Sequence, residues 1–173
     1  MTMATPTLVR ARRPQRNGQS LVEFALVLPL MLLLIMGVVD FGRGIFALNE
    51  IADAAREGGR TGIVNQTLTD IRARAAEQAI ALGIPTAPPA SCPATGGPPP
   101  GVAGICIAIL DPDGTTGACT TTPAVGCLVV VSVKTTFTAL TPIIGNIIGP
   151  RPLTSTTKQV IEATCNGAGC TTP

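Results

Sequence analysis

The sequence predicts an α+β fold: a long N-terminal transmembrane helix that continues outside the membrane, a second helix, and then a small antiparallel sheet of about three strands. Three observations carry this reading. An apolar run near the N-terminus is long enough to cross a bilayer. Helical spacing of apolar residues continues beyond it. The C-terminal half alternates short Val-, Ile- and Thr-rich runs with turn chemistry.

The apolar run extends from Leu21 to Val39, 19 residues interrupted by Glu23 alone. A helix needs about 20 residues to cross roughly 30 Å of hydrocarbon. Pro29 cannot donate a backbone hydrogen bond to Ala25, so a bend is expected there, which membrane helices tolerate. Arg10, Arg12, Arg13 and Arg16 precede the run with no acidic residue among them. Basic residues beside an apolar span hold that end in the cytoplasm. The predicted topology is a single pass through the cytoplasmic membrane, with the N-terminus cytoplasmic and the body extracytoplasmic. A cleaved secretory signal would need small residues after the apolar core, where Asp40-Phe41-Gly42-Arg43 stand instead.

Beyond the span, Val38, Phe41, Ile45, Leu48, Ala52 and Ala55 recur at spacings of three and four, predicting one apolar seam on a continuing helix. Asp40 with Arg43, and Asp53 with Arg56, are placed to pair at i,i+3. Gly58-Gly59 reads as the stop. A second helix is predicted over residues 69–82, with Thr69 as N-cap and Leu68, Ile71, Ala75, Ala79 and Leu82 as its apolar stripe. Residues 85–101 read as an irregular Pro/Gly-rich linker. Strands are expected at 102–110, at 128–134 as the central strand, and over 153–164. Residues 141–152 hold so many breakers that a packed loop is expected. The organisation is therefore a basic leader at 1–18, a transmembrane and projecting helix at 19–58, and an extracytoplasmic head at 59–173.

Composition excludes several function classes. Only 13% of residues are charged and the net charge is +2, so no nucleic-acid partner is expected. The chain has no His, the side chain most used in acid–base chemistry near neutral pH. No Ser–His, Cys–His or paired-carboxylate pattern is visible, and no enzymatic activity is expected. Cys92, Cys106, Cys119, Cys127, Cys165 and Cys170 all lie beyond the span, which fits disulfides in an oxidising compartment. Cys119–Cys127 and Cys165–Cys170 are plausible local bridges, with the connectivity open. Without a Cys-x-x-Cys pair or His, neither a metal nor a cofactor is expected. Asp111-x-Asp113-Gly114 resembles part of a calcium loop but lacks the later ligands, and a plain turn is the preferred reading.

The segment that carries a mechanism is Gly18-Gln19-Ser20-Leu21-Val22-Glu23-Phe24-Ala25-Leu26-Val27-Leu28-Pro29. A carboxylate in a membrane helix is costly and needs compensation. One explanation is that Glu23 sits at interface depth, facing headgroups or favoured by the helix N-terminus. The other is that cleavage after Gly18 creates an α-amino group on Gln19, one turn from Glu23. A pair between them, within one chain or between neighbours, would set the axial register of bundled helices.

With Gly37 and Asp40-Phe41-Gly42-Arg43, this string resembles the TadE-like family, minor pseudopilins of the tight-adherence (Tad) pilus system, over roughly residues 18–60. The resemblance implies a pilin-like fold, cleavage at Gly18/Gln19 by a prepilin-type peptidase, and an assembly role for Glu23. It also implies partners among other pilin or pseudopilin subunits besides the lipid bilayer, and a part in bacterial adhesion. Major pilins of the system usually carry Tyr after the glutamate. Phe24 departs from that and points to the TadE-like branch. The competing expectation is an uncleaved, surface-anchored binding module with no role in a filament.

Overall fold

The computed structural model describes residues 18–101, 103–165 and 170–171. The leader ahead of Gly18 lies outside the described residues. Helix α1 (Gln19–Val64) runs 46 residues, about 69 Å at 1.5 Å per residue, and continues unbroken past Pro29. Helix α2 (Leu68–Gln78) follows, then a 3₁₀ turn at Ile80–Leu82. Strand β1 (Gly104–Leu110), a short α3 (Ala118–Thr121), strand β2 (Leu128–Phe137), α4 (Pro142–Ile148) and strand β3 (Arg151–Val160) complete the head. The sheet is antiparallel in the order β1-β2-β3, which puts the expected central strand at its centre. A two-residue ladder joins β4 (Thr164–Cys165) to β5 (Cys170–Thr171). The expected α+β architecture is the observed one.

The sheet is covered on both faces, and its alternation shows how. Val129, Val131 and Val133, with Ile105, Ile107 and Ile109 opposite them, face α1 and α2 and form the core with Ile51, Ala54, Ala55, Ile71 and Ala75. Val130, Ser132 and Lys134 project to the other side. There the 85–101 segment lies across the strands: the Ser132 hydroxyl donates to the Gly96 carbonyl at 2.6 Å, and Lys134 Nζ donates to the Pro99 carbonyl at 3.0 Å. The Cys92–Cys106 disulfide ties this segment to β1. The expected linker is thus a cover for the sheet. Its prolines have no N–H to leave unsatisfied, and they let an irregular chain lie flat against apolar side chains.

Three other expectations are corrected. Gly58-Gly59 does not stop α1, which ends six residues later at Asn65, where the Asn65 N–H bonds the Thr61 carbonyl at 2.8 Å. The glycines are helical because the helix backbone there lies against the sheet. A Cβ placed on Gly58 would be 3.0 Å from Val131 Cγ1, and one on Gly62 would be 2.7 Å from Val129 Cγ2. Each glycine costs about 1 kcal/mol of helix propensity, which burial of the facing valines outweighs. The apolar seam itself lies open, because the head packs against a different stripe of α1. Asp40, Ala47, Ile51, Ala54, Ala55, Gly58, Gly59 and Gly62 are buried, whereas Phe41, Ile45 and Leu48 stay exposed, and only Ala55 belongs to both sets. Secondly, residues 142–148 form α4 rather than a loop, started by a proline at its first position, which suits a helix N-terminus. Thirdly, the N-cap of α2 is Thr67, not Thr69: the Asn65 carboxamide oxygen accepts from the Thr67 N–H and fixes the turn ahead of it.

Candidate functional site

Gly18 is the N-cap of α1 and Gln19 its first helical residue, so the expected cleavage point coincides with the start of the helix. Gln19 Nε2 donates to Glu23 Oε1 at 3.4 Å, and both side chains are exposed. This spacing puts the Gln19 backbone nitrogen and the Glu23 carboxylate on one helical turn. Phe24 projects outward beside them, as do Leu21, Leu26, Val27, Leu30 and the other large side chains of the run. No residue of the most apolar stretch of α1 is buried against the head. A core helix hides its apolar face; this one leaves every side exposed over a length that crosses a bilayer. That fits a single-pass membrane anchor.

The boundary between span and head is fixed by Asp40, one residue past the apolar run. Asp40 is only 5% exposed, yet its carboxylate is fully provided with donors. The Thr141 hydroxyl donates at 2.6 Å, the Thr141 N–H at 2.9 Å and the Leu140 N–H at 2.8 Å. Arg43 Nη1 approaches at 3.3 Å. These hydrogen bonds, that from the Thr141 hydroxyl foremost, hold the Asp40 carboxyl down to about 2, against the opposing effect of burial. Read from sequence, Asp40 is the partner of Arg43 and no more. In the fold it also ties the membrane end of the helix to the β2–β3 connection, 100 residues away. A buried-facing acid at the end of an apolar run was the available signal. Arg43 further stacks over the Phe137 ring, its guanidinium carbon 5.8 Å from the centroid.

The remaining singled-out residues serve the head. Cys119–Cys127 is bonded as the spacing suggested, and Cys92–Cys106 is a second bridge that spacing did not single out. Cys165 and Cys170 stand opposite each other in the β4–β5 ladder; their side chains lie outside the described residues. Asp111 Oδ1 accepts from the Cys119 N–H at 2.9 Å, and Asp113 Oδ1 accepts from the Thr115 N–H and hydroxyl at 2.9 and 2.7 Å. Both carboxylates therefore organise the turn after β1. The Thr115 donors lower the Asp113 carboxyl below its ordinary range. The predicted Asp53–Arg56 pair forms at 3.2 Å on the exposed side of α1.

Residues 18–60 match the family model for TadE-like protein. The match covers the helix start, the apolar run, Asp40 and all of the head-facing stripe but Gly62, and stops before α2. No curated protein and no solved structure matches the chain. The family match and the exposed apolar helix together support a membrane protein associated with the Tad pilus system.

Proposed function

From a chain whose residues 18–60 are a TadE-like segment, we propose a membrane-anchored minor pseudopilin that takes part in assembling a Tad-type adhesion pilus. In this reading a prepilin-type peptidase cuts between Gly18 and Gln19 on the cytoplasmic face, and the head stands outside the membrane. The single observation that carries it is the start of α1. The helix begins at the proposed cut, and the Glu23 carboxylate stands one turn further on, with Gln19 its hydrogen-bond partner among the described residues. The new α-ammonium would meet Glu23 on its own chain or on a neighbour's. In a low-dielectric surrounding such a pair is strong enough to choose one register over another.

The role proposed is structural and not catalytic. The helix supplies the part that packs among other pilin subunits, and the disulfide-tied head supplies the exposed part. Motion out of the bilayer would be axial, with the register restored at each step by the same pair.

In the native bacterium, Glu23→Ala is expected to leave the protein in the membrane at wild-type level. It is also expected to abolish its cross-linking to pilin subunits and to reduce surface attachment, while Glu23→Asp retains part of both. Unchanged cross-linking and attachment in Glu23→Ala would contradict the register role.

A further inference from the structure

The β2–β3 connection carries exposed apolar side chains at the level where the helix leaves its apolar run. Asp40 takes hydrogen bonds from Leu140 and Thr141. Ile148 and Gly149 line a groove together with Gly37, Asp40 and Phe41. Gly37 belongs to the apolar run itself, so this connection reaches back alongside the span. Leu140 is exposed, Ile147 is 79% exposed and Ile148 is half exposed. These residues stand at the end of the head next to the membrane helix, where a bilayer begins.

Charge agrees with this placement. Residues 137–153 contain no acid and one base, Arg151. Arg151 opens β3 opposite Phe137, and the Phe137 ring packs beside Gly44 and under Arg43. The nearby acid, Asp40, is buried under its donors. Two guanidinium groups thus rim an apolar foot, an arrangement that suits lipid phosphates above acyl chains.

We propose that the β2–β3 connection is a second membrane contact. Leu140, Ile147 and Ile148 enter the interfacial layer of the bilayer beside the transmembrane helix, with Arg43 and Arg151 at the headgroup phosphates. The head is then held against the membrane at two points and keeps a fixed tilt and rotation. Lipid is the occupant because the groove opens onto Gly37 within the apolar run, so its continuation is already in hydrocarbon. The inference requires the run to span the bilayer and does not require cleavage or pilus assembly.

The chain has no Trp and no Tyr, so one introduced Trp reports alone. The full-length protein is placed in nanodiscs at one copy per disc, with lipids brominated near the headgroup end of the acyl chains. Ile147→Trp should emit to the blue of Val125→Trp and be quenched about twofold by the bromolipid. Val125→Trp, at the opposite end of the head, should emit as in water and stay unquenched, which controls for the affinity of indole for interfaces. Leu30→Trp, quenched by bromines placed deep in the chains, reports the span independently. Emission from Ile147→Trp like that of Val125→Trp, in discs where Leu30→Trp is quenched, would overturn the proposal and leave the span intact. A blue shift that needs two copies per disc and resists bromolipid would also overturn it, in favour of contact between chains.

Discussion

At the scale of single residues, two carboxylates of α1 have opposite surroundings. Glu23 is exposed on the apolar run, and Gln19 alone among the described residues is in hydrogen-bond contact with it. Asp40 lies one residue past the run and is enclosed by Thr141, Leu140 and Arg43. The same chemical group therefore serves as an unspent contact in one place and a finished anchor in the other. The anchor has a pH dependence whose sign follows from its donors. The Asp40 carboxyl is lowered from 3.8 to about 2 on folding, so its contribution is complete above about pH 4. It is lost as pH falls from there through about 2, because protonation removes the acceptor that three donors require. In detergent micelles, the Thr141 amide resonance should titrate with a midpoint near 2. Stability of the head should fall over the same window, and Asp40→Asn should be less stable at neutral pH and fall less across it, with the lowered Asp113 carboxyl still titrating. A Thr141 midpoint at the ordinary carboxylate value would contradict the anchoring.

At the scale of elements, α1 changes character along its length without a break. Over Leu21–Val39 it is apolar with Glu23 as the one charge; beyond Asp40 a stripe of Ala and Gly with Ile51 lies on the sheet, while Phe41, Ile45, Phe46 and Leu48 face away. Gly62 and Gly42 separate the two uses of glycine. A methyl at Gly62 would press on Val129, a fully buried β-branched residue at the centre of the sheet, with no room to turn aside. Gly62→Ala should therefore destabilise by about 1–3 kcal/mol despite its better helix propensity. Nothing lies within 4 Å of the position a Cβ would take on Gly42. Gly42→Ala should stabilise the helix by about 0.5–1 kcal/mol. Denaturant unfolding of the full chain in detergent, followed by circular dichroism, measures both. Equal effects of the two substitutions would mean that α1 does not lie on the sheet as described.

That contrast also explains what could be read from the sequence. The apolar run, the second helix and the central strand were legible because local pattern and final environment agree there: Ile71, Ala75 and Ala79 are buried as spaced, and Val129 to Val133 are covered on both faces. The seam at Phe41, Ile45 and Leu48 was legible as an apolar face, but which face meets the head was not: the sheet takes the stripe of Ala, Gly and Ile51. The helix runs through Gly58-Gly59 because close approach and helix termination both call for glycine, and a tertiary contact decides between them. The linker's place on the sheet depends on Cys92–Cys106 and on backbone carbonyls, and neither signal is local. At the site, Gly18, Gln19 and Glu23 were legible as a string, while the second set of partners of Asp40 stands 100 residues away and left no mark in its own neighbourhood.

At the scale of the whole molecule, the chain is a helix of about 69 Å with a small head fastened to its distal half. The proximal half is apolar on all sides and carries one carboxylate a turn from its first residue. A protein built this way is anchored while that half is in lipid and can be bundled when the same surface meets like helices. In the proposed reading, the processing of its N-terminus decides which fate is open to it. The N-terminal sequence and intact mass of the protein from native membranes, beside a Gly18→Leu variant, test this most directly. The expected mature chain starts at Gln19 and is blocked in the variant. An intact leader in both would contradict the pseudopilin reading and leave a single-pass anchored head.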